Sequence, residues 1–454
     1  MAKYSLSGLL FMYAALATAG STMAAPDVTP YFHTPTLVGA AGLHEQGILG
    51  DGITVAVLDT GSLPPGQLEA ADLRVIDEYD LLPDTSPPFD GSGHGTHIAS
   101  VIGSGLRDEE GHYLGVAPHA NLLLVRAFDE NGVGRLPDVV DGIYWVIENK
   151  DRYNIRVLNL SFSGRVQSAY WKDPIDIAVM QAWAEGIVVV ASAGNRGPDP
   201  LSIGVPGNTP YAITVGATMN GDGAPDSIAD DLIAPFSSVG PTQEGFLKPE
   251  VVAPGAAVLG LVQPAQAVPA VQDAEQWLGH FFIDRDGVSF STAVVSGVAA
   301  LLLSADPGLT PDEVKCRLMS GAHPALSTET DPPYFALLQQ GAGMVDATTA
   351  LEPAAGTGCP QGGLDVTADL AGDEHFIGPA MRDADGNLVV TLPDGTVLSG
   401  TELWADGFIW SDTSVFEDGV IWSNTSIFSD GVRPGQLVII DGNPDWPNTK
   451  LVVY

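Results

Sequence analysis

Short apolar runs separated by helical stretches constrain the fold of this 454-residue chain more than any other feature of its sequence. A strand buried on both faces is apolar along its whole length, and strands that are joined through helices pair in parallel. The pattern therefore predicts an α/β fold with a doubly wound, mostly parallel sheet. The predicted strands are residues 54–58, 121–126, 157–161, 187–191 and 212–215.

Three polar residues stand next to these predicted elements, in the chain order Asp, His, Ser. Asp59 follows the first strand run, and Thr60-Gly61 ends that run, so its carboxylate is expected at the carboxyl end of a strand. His94 lies among glycines ahead of a helical apolar run, and Ser289 precedes the stretch 293–303, which is typical of a buried helix. Open α/β sheets form their sites at the carboxyl ends of strands.

These residue types are the ones that nucleophilic catalysis by serine requires. A serine hydroxyl is a poor nucleophile at neutral pH, so a histidine must take its proton and return it to the leaving group. An aspartate holds the imidazole in the correct tautomer and stabilises the imidazolium. One such phrase alone is usually structural, but three in order favour a catalytic triad of Asp59, His94 and Ser289.

The phrases around the three residues resemble those of the subtilisin-like serine peptidases, or subtilases. They read Val-Ala-Val-Leu-Asp-Thr-Gly at 55–61, Gly-His-Gly-Thr-His-Ile-Ala at 93–99 and Gly-Val-Ser-Phe-Ser-Thr-Ala at 287–293. Further matching phrases extend the resemblance from about residue 35 to residue 350. It implies a serine endopeptidase that acts on proteins or peptides and needs no cofactor for its chemistry.

The resemblance also assigns residues around the triad. Asn195 matches the side chain that stabilises the oxyanion, and residues 156–164 resemble the strand that pairs with an extended substrate. His97 is expected to be a packed or hydrogen-bonded helix residue. The substrate-binding residues that the resemblance implies are Ser161, Phe162, Ser163, Ala191, Ser192, Ala193 and Gly194.

The segment around Ser289 departs from the family pattern. Val288 stands where a threonine is usual, Phe290 stands where a methionine is usual, and the proline that commonly follows is missing. No member of the triad is lost. We therefore expect an active enzyme whose rate or specificity is altered.

The amino terminus is typical of a secretory signal peptide, residues 1–24, with an apolar core and small residues before cleavage. Cleavage after Ala24 is favoured over cleavage after Ala19. No other stretch is expected to approach the ~18 apolar residues of a membrane span, so the mature protein should be extracellular or periplasmic without membrane association. Only about ten residues separate Pro26 from the segment 37–40, which predicts no folded inhibitory propeptide.

Composition narrows the environment and the partners. The formal net charge is −38, and lysines are few among the 18 basic residues. Such an acid excess is typical of proteins from saline habitats, where salt screens self-repulsion, although an ordinary acidic secreted protein remains the alternative. This charge disfavours nucleic acid and anionic membranes as partners. We also expect a monomer.

The carboxyl-terminal quarter predicts a small β-rich module, residues 364–454, behind a linker at 356–363. Residues 404–432 repeat with a period of six, in the order aromatic, polar, Asp or Asn, turn residue, aliphatic. This pattern favours stacked short strands with internal aromatic packing. It also supports an alternative function, a surface-binding or adhesive protein with a vestigial peptidase fold.

Two further features concern disulfide and metal chemistry. Cys316 and Cys359 are expected to form one disulfide in an oxidising compartment. The acidic loop Asp108-Glu109-Glu110 is a candidate for a structural Ca²⁺, although the sequence leaves the metal ligands unknown. Asp383-Ala384-Asp385-Gly386-Asn387 favours a β-turn, because Leu388 occupies the position where an EF-hand needs glycine.

Overall fold

A computed structural model describes residues 33–64, 68, 72–82, 90–220, 231–262, 275–277, 280–324, 337–352, 364–391, 395–400, 403 and 450–453. The predicted signal peptide, the linker at 356–363, the repeat at 404–432 and Cys359 lie outside these residues. The disulfide from Cys316 therefore stays a prediction.

The described residues form seventeen strands and ten α-helices. The strands are β1 Thr54–Asp59, β2 Val75–Asp80, β3 Asn121–Arg126, β4 Val133–Arg135, β5 Ile155–Leu160, β6 Phe162–Ser163, β7 Val188–Ser192, β8 Ile213–Met219, β9 Leu232–Ile233, β10 Val251–Pro254, β11 Val258–Val262, β12 Glu275–Trp277, β13 His280–Arg285, β14 Ala380–Arg382, β15 Leu388–Thr391, β16 Val397–Ser399 and β17 Lys450–Val453. The helices are α1 Thr34–Leu37, α2 Ala40–Glu45, α3 His94–Gly103, α4 Leu136–Tyr153, α5 Pro174–Ala184, α6 Val288–Ala305, α7 Pro311–Gly321, α8 Leu337–Gln340, α9 Ala347–Leu351 and α10 Val366–Ala371.

The central sheet has eight strands, of which seven follow the order β10-β8-β7-β5-β1-β3-β2 and pair in parallel. The remaining strand, β9, pairs antiparallel with β8. The five predicted strand runs correspond to β1, β3, β5, β7 and β8. The prediction of a doubly wound, mostly parallel α/β sheet is confirmed.

Helix α6 passes through the core behind the sheet. It is 18 residues long with a mean hydropathy of 1.9, enough by length and composition to cross a membrane, yet 89% of it is buried inside the fold. The expectation that no stretch beyond the amino terminus approaches a membrane span is therefore wrong for α6. Its hydroxyls bond within the protein, as when Ser291 Oγ donates to the carbonyls of Ala253 and Pro254 at 3.0 and 3.1 Å. Such satisfied polar groups and near-complete burial are properties of a core helix.

The described part of the carboxyl-terminal region packs directly on the α/β domain. The carboxylate of Asp369, on α10, accepts hydrogen bonds from the hydroxyls of Tyr170 (2.6 Å) and Tyr211 (3.1 Å). Strands β14 and β15 are joined by a turn in which Asp383 Oδ1 accepts the N–H groups of Asp385 and Asn387. The β-turn prediction for this segment is confirmed.

A buried ionic triad ties β10 and α7 to the edge of the sheet. Glu250 Oε1 lies 2.6 Å from Lys248 Nζ and 2.7 Å from Lys315 Nζ, and all three side chains are at most 2% exposed. Its Oε2 accepts the backbone N–H of Thr214 on β8 at 2.7 Å. Burial alone would raise the pKa of Glu250, but the two ammonium groups outweigh it and hold that pKa below its usual value.

Replacing Glu250 by glutamine should destabilise the protein by about 3–5 kcal/mol, because it leaves two buried ammonium groups without their counter-charge. Urea unfolding at pH 7 measures the loss. Glu185→Gln is the matched control, since Glu185 pairs with Lys150 at the surface and should cost at most about 1 kcal/mol. Equal losses of unfolding free energy for the two variants would contradict the stabilising role of the buried triad.

Candidate active site

The fold brings Asp59 and His94 into direct contact. Asp59 is the last residue of β1, and His94 is the first residue of α3. Nδ1 of His94 lies 2.7 Å from Oδ1 of Asp59, and both residues are at most 2% exposed. Because Nδ1 faces a carboxylate, the neutral imidazole carries its proton there and Nε2 keeps a lone pair. Nε2 has no hydrogen-bond partner among the described residues.

Ser289 is the second residue of α6 and is also buried. Its Oγ donates to the carbonyl of Ser161 at 2.8 Å, and Ser161 Oγ donates back to the carbonyl of Ser289 at 2.9 Å. The reciprocal bonds hold the start of α6 against the end of β5. In this structure the Ser289 hydroxyl is thus turned towards Ser161, and no hydrogen bond joins it to His94.

Asn195 lies just beyond β7 and contacts the start of α6. Its Oδ1 accepts the backbone N–H of Val288 at 3.0 Å, which directs its NH₂ group away from that bond. The side chain of Val288 is buried in an apolar cluster with Ala193 and Ala217. The valine that departs from the family pattern therefore fills an apolar space, while its backbone orients Asn195.

Phe290, the second departure, lies between two histidines. Its ring centroid is 5.7 Å from that of His94 and 4.4 Å from that of His97. Nε2 of His97 is 3.0 Å from the carbonyl of Val258. Burial, with the nearby Arg285 and His94, lowers the pKa of His97 well below its usual value. His97 is a packed, hydrogen-bonded helix residue, as expected.

Asp90 supports the contact between Asp59 and His94, although the sequence interpretation did not single it out. It is fully buried, and its carboxylate accepts the N–H groups of Gly93 (2.7 Å) and Thr96 (2.8 Å) at the start of α3. It also accepts the hydroxyl of Thr60, the neighbour of Asp59, at 2.8 Å. Burial raises the pKa of Asp90, and the Asp59 charge adds to that rise. An acidic residue just ahead of a helix is a capping signal that could have identified it.

Close backbone approach completes this arrangement. A Cβ atom at Gly95 would lie 2.3 Å from the carbonyl oxygen of Gly61, so only glycine lets the start of α3 reach the turn after β1. The N–H of Gly95 donates to Thr60 Oγ1 at 2.9 Å. The glycines that follow Asp59 and His94 in their sequence phrases thus allow the close approach that brings these two side chains into contact.

A polar chain beneath Ser289 was also missed. Ser296 Oγ donates to Asn159 Oδ1 at 2.9 Å, and Asn159 Nδ2 donates to Ser161 Oγ at 2.9 Å. These buried groups continue into the bond from Ser161 to Ser289. They fix α6 to β5 two turns below the hydroxyl, and no local motif distinguishes them in the sequence.

The residues predicted to bind substrate lie together along two neighbouring strand ends. All seven are buried, and they occupy the residue after β5, strand β6, the end of β7 and the two residues after it. They are Ser161, Phe162, Ser163, Ala191, Ser192, Ala193 and Gly194. Among them, Ser161 is hydrogen-bonded to Ser289, and Gly194 directly precedes Asn195 in the chain.

The acidic loop has a donor set that does not suit calcium. Oδ2 of Asp108 lies 3.3 Å from His33 Nδ1 and 3.2 Å from His112 Nδ1. Among the described residues, no other set of three His, Cys, Asp or Glu side chains lies close enough together to hold a metal ion. Calcium takes oxygen ligands, whereas imidazole suits zinc and other transition metals. The Ca²⁺ that the resemblance implies near this loop is therefore not matched by these side chains.

Comparisons with known proteins agree with this geometry. Residues 50–351 match the model of the subtilase family. The serine protease AprX of Bacillus subtilis (strain 168) is 37% identical over 311 residues, which cover 67% of each chain. Subtilisin NAT of Bacillus subtilis subsp. natto is 34% identical over 288 residues, 63% of this chain and 64% of its own length. Subtilisin of Bacillus pumilus is 33% identical over 288 residues, 89% of its length.

The match covers the whole central sheet, which carries Asp59, and the two helices that carry His94 and Ser289. The chain spans about two thirds of the length of AprX and slightly less than two thirds of subtilisin NAT. The chain belongs to the subtilase family of serine-type endopeptidases.

Proposed function

We propose that this protein is a secreted endopeptidase that cleaves protein substrates through a triad of Asp59, His94 and Ser289, with Asn195 in the oxyanion hole. The observation that carries the proposal is the buried 2.7 Å contact between Asp59 and His94. A buried carboxylate on Nδ1 leaves Nε2 as the only basic nitrogen. The ring centroid of His94 lies 5.7 Å from that of Phe290, the residue that follows Ser289.

Acylation begins when the Ser289 hydroxyl turns from the carbonyl of Ser161 to Nε2 of His94. The turn exchanges one hydrogen bond for another, so it costs little, and catalytic bonds commonly tighten only when substrate is present. Oγ then attacks the peptide carbonyl while Nε2 takes its proton. Asp59 stabilises the imidazolium that results.

The acyl-enzyme forms when His94 gives that proton to the leaving amine and the C–N bond breaks. Water then enters, loses a proton to His94 and attacks the ester. The ester C–O bond breaks as His94 returns that proton to Ser289 Oγ, which releases the acid product and restores Ser289. The negative oxygen of each tetrahedral intermediate accepts hydrogen bonds from Asn195 Nδ2 and the N–H of Ser289. The amino terminus of α6 adds a favourable dipole at the same point.

Secretion is supported by the amino-terminal sequence, and a saline habitat by the net charge of −38. The alternative of an adhesive protein has no support from the relatives, whose names describe proteases or subtilisins. We expect protein or peptide substrates, no cofactor in the chemistry and a monomer.

Ser289→Ala should abolish casein hydrolysis, lowering kcat/KM by at least about 10⁴-fold, because no other group supplies the nucleophile. A serine-directed phosphonate should label the native protein at Ser289, as mapped by mass spectrometry. Ser291→Ala is the control, since that serine lies on the same helix and bonds only to backbone carbonyls; it should keep the label.

Assays of the native protein at about 0.1 and 2 M NaCl compare the rate of casein hydrolysis at low and high salt, and a faster reaction at high salt supports the saline habitat.

Asn195→Ala should lower kcat by about 10²–10³-fold with little change in KM, as expected when one donor to the oxyanion is lost. Steady-state kinetics on a small chromogenic peptide separate the two constants. A variant with a raised KM and an unchanged kcat would instead place Asn195 in substrate binding.

A further inference from the structure

Strand β17 lies between two strands that do not pair with each other. Residues Lys450–Val453 run antiparallel to β4 on one side and to β6 on the other, in a separate three-stranded sheet. Without β17, β4 and β6 would present two facing edges with unpaired backbone groups. Such a slot accepts an extended peptide by adding a strand.

The slot leads to the proposed catalytic serine. Val452 pairs with Ser163 and Val453 with Phe162, so each step along β17 moves one residue closer to Ser161. The carbonyl of Ser161 accepts the Ser289 hydroxyl at 2.8 Å. The strand therefore runs in the direction of a substrate whose acyl side fills the slot and whose reacting carbonyl follows it.

The side chains of β17 fit the slot on alternate positions, as a strand requires. Leu451 is fully buried, and a Cβ atom at Gly164 would lie 2.5 Å from its Cδ2. Val453 is 6% exposed, and its N–H donates to the carbonyl of Gly132 at 3.0 Å. The intervening Val452 is only half-buried. The slot thus holds two aliphatic side chains that are two residues apart.

The strand is tethered to the domain that it occupies. Leu403 is buried in a cluster with Val239 and Leu338 of the α/β domain, and 46 residues separate it from Lys450. A chain of that length reaches up to about 150 Å when extended, so the tether permits insertion in the same molecule. Tethering of this kind gives an effective concentration on the order of 1 mM.

We propose that the slot between β4 and β6 is the substrate groove and that Lys450–Val453 is its intramolecular occupant. The strand competes with protein substrates and must leave before they bind. The identity of the groove rests on the proposed function. Substrates that displace the strand carry aliphatic side chains at the two positions that Leu451 and Val453 fill. The strand thereby raises the substrate concentration that the enzyme needs for a given rate.

The test is steady-state kinetics of the full chain with Leu451→Asp, which puts a charge into the buried position. We expect KM to fall about tenfold with kcat unchanged, because a competitor at ~1 mM with a dissociation constant of ~0.1 mM raises KM by that factor. Val452→Asp is the matched control, with the same added charge on the less buried face, and should change KM less than about twofold. Equal KM values for Leu451→Asp and the native chain would overturn the proposal.

Hydrogen exchange separates this proposal from the catalytic one. In the Ser289→Ala background, Leu451→Asp should speed amide exchange in residues 132–135, 162–163 and 450–453, while β5 and β7 stay protected and show that the domain is folded. Unchanged exchange would show that the strand does not occupy the groove. Absence of hydrolysis in every variant with an intact Ser289 would overturn the proposed function instead, and the exchange rates alone would then decide on occupancy.

Enzyme concentration tests the intramolecular step. KM should stay constant over a hundredfold range of native enzyme, because each groove is filled by its own chain. A KM that rises with enzyme concentration would show that strands from other copies fill the groove and would overturn the intramolecular assignment.

Discussion

The buried hydrogen bonds of Asp90 are the constraint on which the contact between Asp59 and His94 depends. One carboxylate joins the start of α3 to Thr60, the residue after β1, and so fixes the distance between a strand end and a helix start. His94 and Asp59 are carried by those two elements. A 2.7 Å contact between their side chains needs a backbone that is held this firmly, since a shift of 1 Å would break it.

A second set of buried hydrogen bonds fixes the position of Ser289. The chain of bonds from Ser296 through Asn159 and Ser161 holds α6 on β5, and Val288 binds Asn195 in the same turn. The helix is therefore fixed through its polar side chains as well as through apolar packing. This explains how Val288 and Phe290 can replace the usual residues: both are buried, and Asn195 is oriented by a backbone N–H that any residue except proline provides.

The sequence predicted the elements that depend on local pattern. Apolar runs identified β1, β3, β5, β7 and β8, and the apolar run after His94 identified α3, which in the structure begins at His94 itself. Pattern alone could not show that the Ser289 hydroxyl turns to Ser161, because that choice depends on which carbonyl lies nearest in space. Nor could it show the place of β17, since four residues with three apolar side chains resemble any short strand and their partners are about 290 to 320 residues away. The length of α6 was missed because serines and glycine interrupt its apolar residues.

The ionic triad around Glu250 also determines which lysine amines can react with chemical reagents. It withdraws the amines of Lys248 and Lys315 from solvent, in a chain that has few lysines at the outset. Among the lysines whose side chains are described, Lys172 is exposed and Lys150 is only 24% exposed. Among these described lysines, amine-reactive coupling to a solid support would therefore occur mainly at Lys172.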